Sequence, residues 1–146
     1  VNESDPDGVF NPQTLSRIQT LTEYIKGIPG VIAGDLIAPS EVDTVEQMGP
    51  GTLKFERLME KPPTTREEAR LIGAKGKKQP ILYGTLLSED AKALCLYVPI
   101  REKKLSHAIS GLIRSEAVCL GCTRWIRQRL SRRMMPETGS VSRGSR

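Results

Sequence analysis

A chain of 146 residues is one domain's worth of material, and fully folded it would bury roughly 70% of its unfolded surface without a disulfide framework. Hydrophobic residues make up 38% and aromatics 4%, so the core must be aliphatic and modest, and no run approaches the ~20 apolar residues that cross a bilayer. The net charge of +5 divides unevenly: residues 1–100 hold 11 Lys/Arg against 14 Asp/Glu, a net of −3, and residues 101–146 hold 11 against 3, a net of +8.

No charged-then-apolar leader opens the sequence, so the chain as given reads as soluble. A start at Val1 rather than Met reads as a processed chain or a piece of a longer one. Residues 1–11 form a polar, turn-rich N-terminal segment. Asn11-Pro12 then offers an N-cap followed by proline at the first helical position. Leu15, Ile18, Leu21 and Ile25 follow on one helical stripe, and Gly27 and Pro29 end it.

The stretch 31–42 is rich in β-branched residues and predicts a strand with an irregularity near Gly34 and a break at Pro39. Gly49-Pro50-Gly51 predicts a turn, and residues 52–59 fit either a short strand or a helical turn. Thr64 or Thr65 followed by Glu67 or Glu68 is a capping box for a second helix to about Ile72, with residues 73–78 as a solvated turn. Residues 85–87 and 93–100 flank the turn Ser88-Glu89-Asp90; the second run is apolar on both faces and predicts an interior strand ending at Pro99. Leu105, Ala108, Ile109 and Leu112 recur at helical spacing for a third helix over 104–114. The order of these elements predicts one α+β unit over residues 12–116, with helices packed on one face of a mainly antiparallel sheet.

From residue 117 the composition changes. Residues 117–146 hold seven Arg, no Lys and one acid, Glu137, and the last eight are low-complexity. This Arg-rich tail is expected to be disordered or not native to the fold. With permitted codons, residues 128–137 can be re-read one nucleotide back as Ala-Pro-Val-Ala-Ala-Asp-Asp-Ala-Gly, an ordinary protein segment. Residues 124–135 can also be drawn as an amphipathic helix, with Trp125, Ile126, Leu130 and Met134 opposite five arginines, able to lie on nucleic acid or anionic lipid. The acidic balance of residues 1–100 argues against a continuous basic patch, so nucleic acid is not the expected partner.

Chemistry-bearing motifs are sparse. Cys119 and Cys122 form a C-x-x-C, open to a metal, a redox or an incidental reading, but tetrahedral zinc needs two further ligands and only Cys95 and His107 remain. His107 reads as a structural histidine. Neither glycine-rich phosphate-loop spacing nor a nucleophile-elbow G-x-S-x-G occurs. No catalytic, cofactor-binding or metal-ligating residue and no cofactor is therefore expected, and an enzyme is not the expected class.

Taken in order, the punctuation of residues 8–106 resembles the extracytoplasmic loop of exporters in the resistance-nodulation-division (RND) superfamily, which includes the mycobacterial MMPL-type lipid exporters. The matching pieces are Gly8-Val9-Phe10-Asn11-Pro12, Ile28-Pro29-Gly30-Val31, Ala38-Pro39-Ser40, Gly49-Pro50-Gly51-Thr52-Leu53 and Pro62-Pro63-Thr64. They continue with Gln79-Pro80 and Gly84, Ser88-Glu89-Asp90 before the apolar run to Pro99-Ile100, and Lys103-Lys104 before the last helix. The resemblance implies a periplasmic porter domain with ferredoxin-like βαβ subdomains, on the outer side of the inner membrane. It implies, as partners, the remainder of the transporter chain with its transmembrane helices, a lipid or amphiphilic substrate moved by the proton-motive force, and further copies of the full-length protein as a homo-oligomer. Three departures stand out. The family usually places a strand just before this N-terminus, which here is cut off or supplied by residues not given, Ala91 follows Ser88-Glu89-Asp90 where the family often has glycine, and the match stops near Ser115.

Overall fold

The computed structural model describes residues 1–2 and 4–121. It is an α+β fold whose order is α1 (Pro12–Lys26), a 3₁₀ turn (Ala33–Asp35), β1 (Asp43–Gly49), β2 (Thr52–Arg57), α2 (Arg66–Lys77), a second 3₁₀ turn (Lys103–Leu105) and α3 (Ser106–Cys119). Helix α1 forms as its sequence predicts. The Asn11 side chain accepts from the Thr14 N–H at 2.8 Å, Pro12 opens the helix, and the Gly27 N–H closes it on the carbonyls of Tyr24 and Ile25. Its apolar stripe serves two cores at once. Leu15 and Ile18 pack into a cluster with Phe10, Leu58, Met59, Leu82 and Leu87, while Leu21 and Ile25 join Ile28, Val31, Leu36 and Ile109.

The N-terminal segment is less separate than its polarity suggests. Gly8 adopts φ +60° and turns the chain so that the Val9 N–H donates to the Ala91 carbonyl at 2.9 Å, and Val9, Phe10 and Asn11 are all buried. Helix α2 carries the expected capping box, with Thr65 Oγ1 accepting from the Glu68 N–H and the Glu68 carboxylate accepting from the Thr65 N–H. It runs to Lys77 rather than ending near Ile72, because its glycines do a packing task instead of breaking the helix. A Cβ on Gly73 would lie 2.8 Å from the Phe10 ring, so the absence of a side chain lets that ring lie on the helix.

Charge fastens the same joint from outside. Arg66 bonds Asp5 and Asp7, and Arg70 Nε donates to Asp7 at 2.8 Å. Asp5 is held below its ordinary carboxylate value by the Asp7 backbone N–H and then by Arg66, and Asp7 is lowered by Arg70 and Arg66 against the cost of desolvation. A carboxylate depressed in the folded state contributes stability that is complete above its unfolded value, about pH 4, and is lost as the pH falls through the lower folded one. The melting temperature should therefore drop on acidification below about pH 4, and R66A/R70A should flatten that dependence in melts taken between neutral pH and about pH 2.

The regular sheet is a two-stranded antiparallel hairpin, β1 against β2, joined by Pro50-Gly51. Gly51 at φ +81° supplies the left-handed third position of a type II turn after Pro50, and a register irregularity between Gln47 and Gly49 lets the strands re-aim around it. Of residues 52–59, Thr52–Arg57 thus resolve as strand, whereas β1 (DTVEQMG) carries too little apolar alternation to be read from its sequence.

Three strand expectations are corrected, and the first concerns residues 85–87, expected as the short partner strand of 93–100: they form a turn that meets Tyr83 and Leu94 only through single bridges at Leu87. Residues 31–42 form no continuous strand: the 3₁₀ turn Ala33–Asp35 interrupts them, leaving single antiparallel bridges Val31–Ile100 and Ile37–Tyr97. Residues 93–100 are extended but are not an interior strand. Leu94, Leu96 and Val98 are half-buried, Tyr97 is exposed, and single bridges replace a ladder because the opposing chain is kinked by the 3₁₀ turn and Pro99 offers no N–H. Helix α3 reaches Cys119 rather than about Arg114, with Ala117 buried against the second core, so the boundary expected between residues 116 and 117 falls inside a helix. The remainder of the expected Arg-rich tail, residues 122–146, lies outside the described residues, as do the amphipathic-helix reading of 124–135 and the re-reading of 128–137.

Candidate functional site

The half-covered run 93–100 forms one wall of an open cleft. Helix α1 supplies the opposite wall with Ile18, Leu21 and Ile25, and α3 adds Ile113 and Ala117. The cleft encloses about 520 Å³, within the range of small-molecule pockets, and its lining is mostly aliphatic. Its shape follows from local sequence. Leu96 and Val98 project into it from a chain held extended by the Ile37–Tyr97 bridge, where the Ile37 N–H donates to the Tyr97 carbonyl at 3.0 Å and the Tyr97 N–H returns to Ile37 at 3.1 Å.

Polar groups gather at one end. The Asn2 N–H donates to the Lys92 carbonyl at 2.8 Å, its side-chain amide donates to Thr14 Oγ1 at 3.2 Å, and the Arg17 side chain lies beside Gly121, which turns the chain at φ +74°. Arg17 makes no ion pair with the described residues. An aliphatic trough with one cationic, hydrogen-bonding end is complementary to a chain-like apolar molecule with a polar or anionic head.

No family model matches the chain, and neither curated proteins nor solved structures give a match.

The chemistry-bearing residues singled out in the sequence are scattered. Cys95 is half-buried in the cleft wall, Cys119 is exposed at the end of α3, and Cys122 lies outside the described residues. His107 is exposed on the first turn of α3. Among the described residues, no three or more His, Cys, Asp and Glu side chains gather closely enough to hold a metal ion, and no helix is long and apolar enough to cross a membrane.

A second charged cluster braces the hairpin. Glu41 is lowered although burial pushes its carboxyl up, because Lys26 at 3.2 Å and Arg57 at 3.1 Å outweigh that cost, and Lys26 is raised in turn, chiefly by the hydrogen bond it donates to Glu41. These ions fix the hairpin to the end of α1.

The cleft is hidden from a sequence reading because α1 and the facing wall, residues 93–100 with α3, lie near opposite ends of the described chain. The one available signal is a run apolar on both faces, which by itself predicts burial on both.

Proposed function

We propose that the chain is a non-enzymatic, extracytoplasmic segment of a proton-motive-force-driven exporter of the RND type, on the periplasmic side of the inner membrane, where it lines or borders the path of a lipid or other amphiphile. In this reading the α+β fold is a ferredoxin-like βαβ porter subdomain. The rest of the transporter chain, with its transmembrane helices, covers the apolar run of residues 93–100, and the full-length protein can assemble as a homo-oligomer.

The observation that carries the reading is the cleft itself, an aliphatic trough of about 520 Å³ ending at Arg17, Asn2 and Thr14. A further support is that two pieces of the family-like punctuation meet in space. Gly8 packs against Ala91, the residue after Ser88-Glu89-Asp90, and both adopt positive φ, +60° and +58°. Alanine holds the position where the resemblance leads one to expect glycine, at the cost of a strained backbone.

Two measurements test the proposal. Dodecylphosphocholine titrated below its micelle concentration should shift the amide signals of Ile18, Leu96, Val98 and Ile113 and leave those of α2 in place. Shifts spread evenly over the surface, or none, would remove the support for an amphiphile path. The coding DNA on both sides of the described region, read in all three frames, should contain an apolar run of ~20 residues, and its absence from every frame overturns the transporter reading.

A further inference from the structure

The hairpin presents an unused edge. The Leu58 N–H donates to the Val42 carbonyl at 2.9 Å while the Val42 N–H goes to Ala38, so Val42 and Leu58 share one bond at a hydrogen-bonding position next to the ladder. Antiparallel pairs alternate between bonded and non-bonded, so Thr44–Glu56 and Glu46–Lys54 are bonded, whereas Asp43–Arg57, Val45–Phe55 and Gln47–Leu53 are not. The backbone N–H and C=O groups of Leu53, Phe55 and Arg57 therefore point away from β1, and no backbone hydrogen bond to another described residue occupies them. Leu53 and Phe55 are also 57% and 67% exposed, and with Val45 they form an apolar face on a sheet of two strands. A two-stranded sheet is marginal alone, and an unpaired edge of this kind is a template for another strand.

We infer that β2 pairs antiparallel with β2 of a second copy of this chain, Phe55 opposite Phe55, to form a continuous four-stranded sheet across a two-fold axis. The register follows from charge. Outward-facing residues must oppose outward-facing residues, which sets Phe55 against Leu53, Phe55 or Arg57 of the other copy. The first choice places Lys54 against Lys54 and the third places Glu56 against Glu56. The middle one places Lys54 against Glu56 twice, since both lie on the face opposite Phe55.

That register also uses all the free edge groups, giving about six backbone hydrogen bonds, and joins two phenylalanines as a cross-strand aromatic pair. A lysine on an edge ordinarily discourages such pairing, but Lys54 is already paired with Glu56 of its own strand, so its charge is balanced before a second strand arrives. The edge of β1 is less open, because it borders Lys75, Lys78 and Gln79 at the end of α2. Beside β2 an open cleft of about 670 Å³ separates Phe55 and Arg57 from α1.

Sedimentation equilibrium of the full chain, from about 10 μM to about 1 mM, should show reversible dimerisation. K54E and E56K should each weaken it by about tenfold or more, because each sets like charges face to face at both ends of the pair. The double variant K54E/E56K should restore it, and a mixture of K54E with E56K should form mixed dimers that neither forms alone. Circular dichroism and melting curves establish that each variant is folded, and the mixed-dimer result holds even if one variant is less stable. A monomer throughout the concentration range overturns the inference. So does a dimer indifferent to the single changes, or a double variant as weak as the singles. The result is independent of the transporter reading, since neither a shifted amide in the cleft nor an apolar run in the coding DNA enters it.

Discussion

Gly8→Ala is expected to destabilise the fold by about 3 kcal/mol or more, which would place it among the most damaging single substitutions in the chain. The residue sits at φ +60°, where an L side chain already costs ~1–2 kcal/mol. A Cβ there would lie 2.2 Å from the Ala91 carbonyl oxygen and 2.8 Å from its carbon, and neither atom can yield without moving the backbone that accepts the Val9 N–H. Losing that bond would also release Phe10 from Gly73. Two other glycines calibrate the effect. Gly84 has φ +73° with nothing within 4 Å of where a Cβ would stand, so Gly84→Ala should cost only the backbone term of ~1–2 kcal/mol. Gly49 has open space and no positive φ, so Gly49→Ala should be nearly neutral. Urea unfolding of the three variants checks the order, and equal losses at Gly8 and Gly84 would mean that the Ala91 contact yields freely.

Leu15→Ala and Ile25→Ala should each cost ~2–5 kcal/mol, since both side chains are fully buried and truncation leaves a cavity in an aliphatic core. Their comparison is more informative than either alone. Leu15 belongs to the core formed with Phe10 and α2, and Ile25 to the core formed with α3, yet both stand on α1, roughly 15 Å apart along its axis. Residues so separated should lose stability additively, within ~0.5 kcal/mol. Because one rigid helix spans both cores, unfolding should remain one transition in each variant. Two resolved transitions in Ile25→Ala, with the α3 core melting first, would show that α1 does not couple them.

Capping and helix periodicity were legible in the sequence because they are local. Asn11, Pro12 and Gly27 bound α1, and Thr65 with Glu68 starts α2, through hydrogen bonds reaching at most four residues along the chain. Sequence and structure part where a local signal has two physical causes. Gly73 and Gly76 look like a flexible turn, but next to Phe10 and Leu58 they are sites of close helix packing. Residues 93–100 look doubly buried, but Leu94, Leu96 and Val98 line a cleft and Tyr97, on the other face, is exposed. The strand β1 was invisible because its side chains are mostly polar and its pairing with β2 comes from the Pro50-Gly51 turn and the buried Thr44, whose hydroxyl donates to the Glu56 carbonyl at 3.0 Å.

The α+β class, the starts of α1 and α2, the Pro50-Gly51 turn and the apolar stripe of α1 are written locally into the chain, since each rests on covalent geometry or on neighbours within one helical turn. Tertiary structure alone decided that this stripe divides between two cores, that Gly8 must meet Ala91, and that Arg17 stands at the end of an aliphatic trough. It also decided which edge of β2 faces outward, because that parity is set by pairing with β1 and by nothing within β2. Such contacts join residues tens of positions apart, and their free energy appears only once the chain has closed the loops between them.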